Sequence, residues 1–188
     1  MKNFFGHLFT VIKHKFAVFL HSTKLGMPFQ GFMHDMSKFS ICEFSKGIKY
    51  YTNGTKSPNE GERADKGYSK AWMHHKGRNK HHFEYWTDYS HIERKIVPVK
   101  MEYKYLLEMF CDRVAASKIY QGKNYTDSHP YEYFLKGKVN RFIHPKTSLE
   151  LENMLIMLSE KGEKYTFDYI RKNKKHLEAE YNKSERNT

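Results

Sequence analysis

Cysteine is scarce in this 188-residue chain: Cys42 and Cys111 are its only two, and they form no C-x-x-C pair. That pattern excludes a disulfide framework and suggests a reducing compartment. Apolar runs of the roughly 18 residues that mark a membrane-spanning helix are missing too. Lys13, His14 and Lys15 interrupt the apolar N-terminal stretch, and no small-residue cleavage site follows it. We expect a soluble, cytoplasmic protein with no membrane partner, forming one domain over residues 1–188. Zinc-finger spacing, basic zippers, RNA-binding signatures, internal repeats, β-hairpin runs and the G-x-x-x-x-G-K-[ST] phosphate loop are all absent.

Positive charge and histidine are what the chain has in excess. A formal charge of +12 suits an anionic partner. The basic residues are spread through the chain, which suits a phosphate-rich substrate or a plain solvated surface and leaves nucleic acid possible but not favoured. The twelve histidines say more than the lysines do. Four of them, His74, His75, His81 and His82, fall within nine residues and are flanked by Trp72 and Trp86.

Apolar spacings of three and four predict an all-α bundle of five or more helices. Phe4, Phe5, Leu8, Val11, Ile12, Phe16, Phe19 and Leu20 place a helix over 3–24, ended by Gly26 and Pro28. His7, His14 and His21 recur every seven residues on nearly one face of it. His7 reads as a half-exposed boundary residue, and His14 or His21 as an inward ligand. A second helix runs to Tyr50, with a break near Ser40, where Ser40-x-x-Glu43 has capping-box spacing. Turn residues make 52–68 a loop. Pro98 opens a helix to about Ile119, and 122–147 is irregular apart from a turn at Tyr131–Phe134. Thr147-x-x-Glu150 caps another helix, and a last one follows Gly162 and decays into Lys172–Lys175 and a charged tail. The C-terminal helices thus span about 148–183.

Chemistry concentrates at His34-Asp35-Met36-Ser37-Lys38. An adjacent imidazole and carboxylate suit borderline metals, and Lys38 offers a point charge to an anionic oxygen nearby. On a continuous helix His75, Asn79 and His82 share a face, but a break at Gly77 would turn His81 inward in place of His82. Asp112 lies on an apolar stripe with Tyr105, Met109 and Ala116, where a carboxylate needs a cation or hydrogen bonds. The candidate metal ligands are therefore His14 (or His21), His34, Asp35, His75, His81 or His82, and Asp112, on a core spanning about 10–120. Asp35 and Lys38 are the candidate catalytic groups, and Lys38, Arg78 and Asn79 the candidate substrate contacts.

This order of residues resembles the HD-domain superfamily of metal-dependent phosphohydrolases: a first-helix His, a His-Asp pair, later His ligands and a final Asp. Ser37 stands where that superfamily's H-D-x-G-K version has Gly. The resemblance implies an HD-like helical bundle with one or two divalent ions (Mn, Fe, Zn, Co or Ni) and hydrolysis of a phosphate ester or nucleotide. His75-x-x-x-Asn79-x-His81-His82 with Tyr85-Trp86 is also similar to a bacterial family of uncharacterised small proteins, a domain of unknown function. Two other classes compete. The same scaffold supports di-iron oxygenases, which iron with a mixed-valence signal would favour. A basic module binding nucleic acid or protein would instead bind in a salt-dependent way without metal.

Overall fold

Helix α1 (Lys2–Lys24) forms where the apolar spacing places it, yet it faces the opposite way from an ordinary amphipathic helix. The computed structural model, which describes residues 2–183, buries His7, Val11, Val18, His21 and Ser22. Phe5, Phe9, Ile12, Phe16 and Leu20 are exposed. The boundary position expected for His7 is corrected: it is 9% exposed, with its ring against Phe44 and Tyr51. Sequence spacing gives the width of a face, and only packing decides which face turns inward.

Gly26, at φ 71°, lets the chain reverse after α1, and Pro28 starts the short α2 (Pro28–Met33). These two helices touch closely at Gly31, where a Cβ would lie 2.7 Å from Ser22 Cβ and 3.0 Å from the Phe19 Cα. His34 and Asp35 follow α2 directly, then a 3₁₀ turn over Met36–Phe39. α3 (Ile41–Lys49) begins at the expected break, with Ser40 Oγ accepting the Glu43 N–H. The other half of that capping box is not made, because the Glu43 carboxylate turns to His74 and His75.

Several expectations are corrected downstream. Within the 52–68 stretch lies α4 (Pro58–Lys66), capped by Ser57 and closed by Gly67 at φ 77°. Its Ser-Pro start and Gly end are helix-end signals that also read as turn chemistry. Ser69 caps α5 (Lys70–Lys76), which stops at Gly77. Strands β1 (Thr87–Ser90) and β2 (Lys95–Pro98) then pair antiparallel, Thr87 opposite Pro98, where no hairpin was expected. Each has four residues and is largely exposed, so no apolar alternation marks it. Pro98 therefore ends a strand, and α6 (Tyr103–Gln121) starts five residues later.

The turn expected at Tyr131–Phe134 widens into α7 (His129–Gly137). α8 (Pro145–Lys183) starts ahead of Thr147, whose hydroxyl accepts the Met101 N–H instead of capping the helix. It is interrupted at Gly162 (φ 80°) as the sequence suggested, then runs helical past Lys172–Lys175 to Lys183. The charged tail beyond Lys183 lies outside the described residues.

The described residues thus form eight α-helices and one two-stranded sheet. Leu106, Leu107, Phe110 and Val114 of α6 pack with Leu151, Leu155, Leu158 and Ile170 of α8 at the centre of the core. None of the described helices is long and apolar enough to cross a membrane. Gly31→Ala tests the α1–α2 contact that carries His34 and Asp35. An unhindered helical Gly→Ala gains about 1 kcal/mol. At this contact we expect a loss of about 1–3 kcal/mol from overpacking, read by urea denaturation.

Candidate metal centre

Asp35 occupies the left-handed region at φ 54°, and it is 1% exposed. Asp tolerates this conformation better than most residues, at a cost of about 1–3 kcal/mol. Lys15 of α1 holds the turn by donating to the carbonyls of Phe32 and His34. The result is a carboxylate pushed into the interior with both oxygens facing imidazoles. Oδ2 lies 3.2 Å from His34 Nε2 and 3.8 Å from His14 Nε2. Oδ1 lies 3.2 Å from His75 Nε2 and 3.4 Å from His81 Nε2. From α6, Asp112 Oδ1 approaches His14 Nε2 to 2.9 Å and His34 Nε2 to 3.6 Å.

Outer carboxylates fix which nitrogen of each ring faces inward. Glu108 Oε1 lies 2.8 Å from His34 Nδ1 and 3.0 Å from His81 Nδ1, while its Oε2 accepts from Gln30 at 2.6 Å. Glu43 Oε2 lies 2.8 Å from His75 Nδ1. With each Nδ1 engaged, the Nε2 atoms converge on Asp35, the arrangement by which carboxylate–histidine pairs present metal ligands. The Nε2 atoms of His14, His34, His81 and His82 and Asp35 Oδ1 are buried with no hydrogen-bond partner. Buried orphan polar atoms cost about 1–3 kcal/mol each. Imidazole and carboxylate are the donors a borderline divalent ion takes, so the residues present fit a metal.

Two sets of ligand atoms share Asp35: His14 and His34 on one side, His75, His81 and His82 on the other, each set within 4.8 Å. Asp112 adjoins the first set. His34, His81 and Glu108 also fall within that span, but Glu108 meets the Nδ1 atoms and orients the rings.

The model of a family described as a family of unknown function (DUF5662) matches residues 3–157. The chain belongs to that family. The match spans every residue of the centre, from His14 to Asp112. No curated protein matches the chain, and no solved structure does.

The DUF5662 fold brings His14, His34, Asp35, Lys38, His75, His81, His82 and Asp112 together. His21 is set aside as the alternative to His14, since its Nε2 faces Glu163 Oε1 at 3.5 Å, one turn pair away along α1. The stop at Gly77 lets both members of the second His pair reach the centre, their rings 4.2 Å apart. Asn79 is drawn inward, and its amide donates to Ser37 Oγ (2.7 Å) and the His75 carbonyl (2.8 Å), so it positions the centre from within. Arg78 donates to the His74 carbonyl and lines a separate pocket of about 460 Å³. Sequence reasoning missed Glu108, Gln30, Lys15 and the orienting role of Glu43. Glu108 carried a usable signal, lying four residues before Asp112 and so on the same helix face.

Charge at the centre is tightly matched. Burial disfavours the imidazolium of His34, but Asp35, Asp112 and Glu108 outweigh it and hold His34 well above the usual histidine value. His75 is raised against burial in the same way by Asp35 and Glu43. Burial works against ionised Asp35 too, yet His34, Lys38 and His75 keep its carboxyl well below the usual range. Glu108, despite burial, is brought down to about 2 by its bonds to His34 and His81. His82 goes the other way: burial, then repulsion from His81 and His75, push it well below normal, into the neutral form a ligand needs.

A metal ion taken up here would therefore have to displace protons from His34 and His75. Because their values are raised, those protons persist above pH 6.5, so metal affinity should climb as pH rises through and beyond that value and fall below it. Calorimetry of Zn²⁺ binding in buffers of different ionisation enthalpy would show net proton release. Glu108→Gln should weaken metal binding by about 10–100-fold, the range for outer partners of ligating histidines. Competition with a chromophoric chelator reads it, and unchanged affinity would remove Glu108 from the centre.

Proposed function

We propose that this chain is a metal-dependent hydrolase of a phosphate ester or nucleotide, working from one domain with an HD-like helical scaffold. The observation that carries the reading is the buried Asp35 carboxylate, each oxygen of which meets a separate set of inward Nε2 atoms. His14, His34, Asp35 and Asp112 would hold one divalent ion, and Asp35, His75, His81 and His82 a second. Mn, Fe, Zn, Co and Ni all accept this N/O donor set. When bound, such an ion supplies a Lewis acid for a phosphoryl oxygen and water activated near neutral pH.

The chain's own groups do the rest. The centre forms one wall of a cavity of about 710 Å³, with His14, Asp35, Lys38, His75, His82 and Asp112 lining it. That volume admits a small organic phosphate. Lys38 Nζ sits 2.5 Å from Asp35 Oδ2, and its side chain is 31% exposed, so it reaches both the centre and the cavity. Burial opposes its charge, but Asp35 and Asp112 raise Lys38 and keep it cationic. It is thus the group to hold a phosphate oxygen against the centre. The net charge of +12 draws anions toward the cavity. A cytoplasmic location fits the same reading, since Cys42 and Cys111 are both free thiols.

Elemental analysis of the purified protein should find one or two transition-metal ions per chain, and a phosphatase and nucleotidase panel with added Mn²⁺, Fe²⁺, Co²⁺ or Ni²⁺ should find turnover. Asp112→Ala should lower metal affinity by roughly 10-fold or more. Lys38→Ala should impair turnover while leaving metal content nearly intact. A Lys38 variant that loses its metal would make that residue a support of the centre and end its assignment to the phosphate.

A further inference from the structure

Beyond the metal centre, the same cavity has a second charged wall. Arg113 follows Asp112 on α6 and points about 100° further round the helix. Asp112 turns to His14 and His34, and Arg113 lines the cavity. Its Nε is buried with no hydrogen-bond partner. Arg141, between α7 and α8, lines the cavity as well. It donates to the carbonyls of Phe134 (2.6 Å) and Tyr133 (3.2 Å) and lies over the Phe134 ring. These contacts fix its fork without neutralising it.

The two guanidiniums sit in each other's field: burial and then repulsion from Arg113 bring Arg141 down to about 10. Glu84 is the carboxyl of this wall, and it is not in salt-bridge contact with either arginine. Its Oε2 is buried without a hydrogen-bond partner. Holding two repelling cations at a cavity wall is costly unless an anion joins them. Planar guanidinium forks match the oxygens of phosphate and carboxylate.

We propose that Arg113 and Arg141 form a second anion subsite, so that the substrate carries two oxyanions: a phosphate presented to the metal centre and a further phosphate or carboxylate held by the arginines. This rests on the phosphohydrolase reading and narrows it to bis-anionic phosphate esters. Lys38, on the centre's wall, serves the first anion, and Arg113, turned away from the centre, serves the second. The +12 chain then meets a substrate of matching high charge.

Two measurements test it. In the first, phenyl phosphate, 4-carboxyphenyl phosphate and 1,4-phenylene bisphosphate are compared as substrates of the metal-loaded protein. We expect at least one bis-anionic ester to exceed phenyl phosphate in kcat/KM by about tenfold, mainly through KM, and Arg113→Met to abolish that preference. The preferred arm identifies the second anion as carboxylate or phosphate. In the second, equilibrium dialysis measures inorganic phosphate binding to the chelator-treated protein, with Arg113→Met and Arg141→Met each expected to weaken it about tenfold. Arg113→Lys, which keeps the charge and loses the fork, should give a smaller loss and serves if the Met variant fails to fold. Phosphate binding and ester preference indifferent to Arg113 and Arg141 would overturn the subsite. Phosphate binding that needs Arg113 in a protein cleaving no phosphate ester would keep the subsite and overturn the hydrolase reading.

Discussion

A carboxylate that is 1% exposed, held by a left-handed backbone and surrounded by imidazoles, is the constraint on which the site's architecture depends. Burying an ionised Asp demands positive charge on all sides. At Asp35 that demand is met from three directions: His34 beside it, His75 at the end of α5, and Lys38 from the turn after α2. Asp112 and Glu108 on α6 then answer the histidines. Moving any of these elements by a few ångströms would leave a buried charge without its partner.

The orientation of α1 follows from the same demand. A helix carrying Phe5, Phe9, Ile12 and Phe16 would ordinarily bury them, and here they are exposed while His7 and His21 are buried. Each buried histidine has a specific neighbour that makes the inversion tolerable. His21 Nδ1 meets the Ala17 carbonyl at 2.6 Å, and His7 packs against two aromatic rings. The apolar core is correspondingly displaced to α6 and α8, and the polar centre and the oily core occupy different faces of α6. Asp112 sits among residues of both kinds, beside Phe110, Cys111 and Val114.

Around the centre, four carboxylates (Asp35, Asp112, Glu43 and Glu108) share six imidazoles, His74 on Glu43 included, and one ammonium. Protons can balance these charges, as the raised His34 and His75 show, but they leave inward nitrogens and Asp35 Oδ1 without hydrogen bonds. A divalent ion satisfies charge and orphan lone pairs together. That chemical economy is why the donor set supports a metal centre and why a plain hydrogen-bonded histidine cluster accounts for it less well.

Composition and spacing by themselves determined the helical class and the free thiols and picked out the His and Asp residues that the fold gathers, because residue types and periodicity are local properties of the chain. Ser40 and Gly77 as breaks, Gly162 as a kink and Asp112 on an inward stripe were all legible for that reason. Four features were decided only in three dimensions. The choice of His14 over His21 depended on which turn of α1 lies opposite α6. Both His81 and His82 could enter because the chain changes direction after Gly77. Glu43 read as a cap until α5 brought His74 and His75 to it, and the hairpin at 87–98 had no apolar alternation to announce it. Each of these turns on partners 30 or more residues distant or on backbone pairing without side-chain pattern, information that no local stretch of sequence carries.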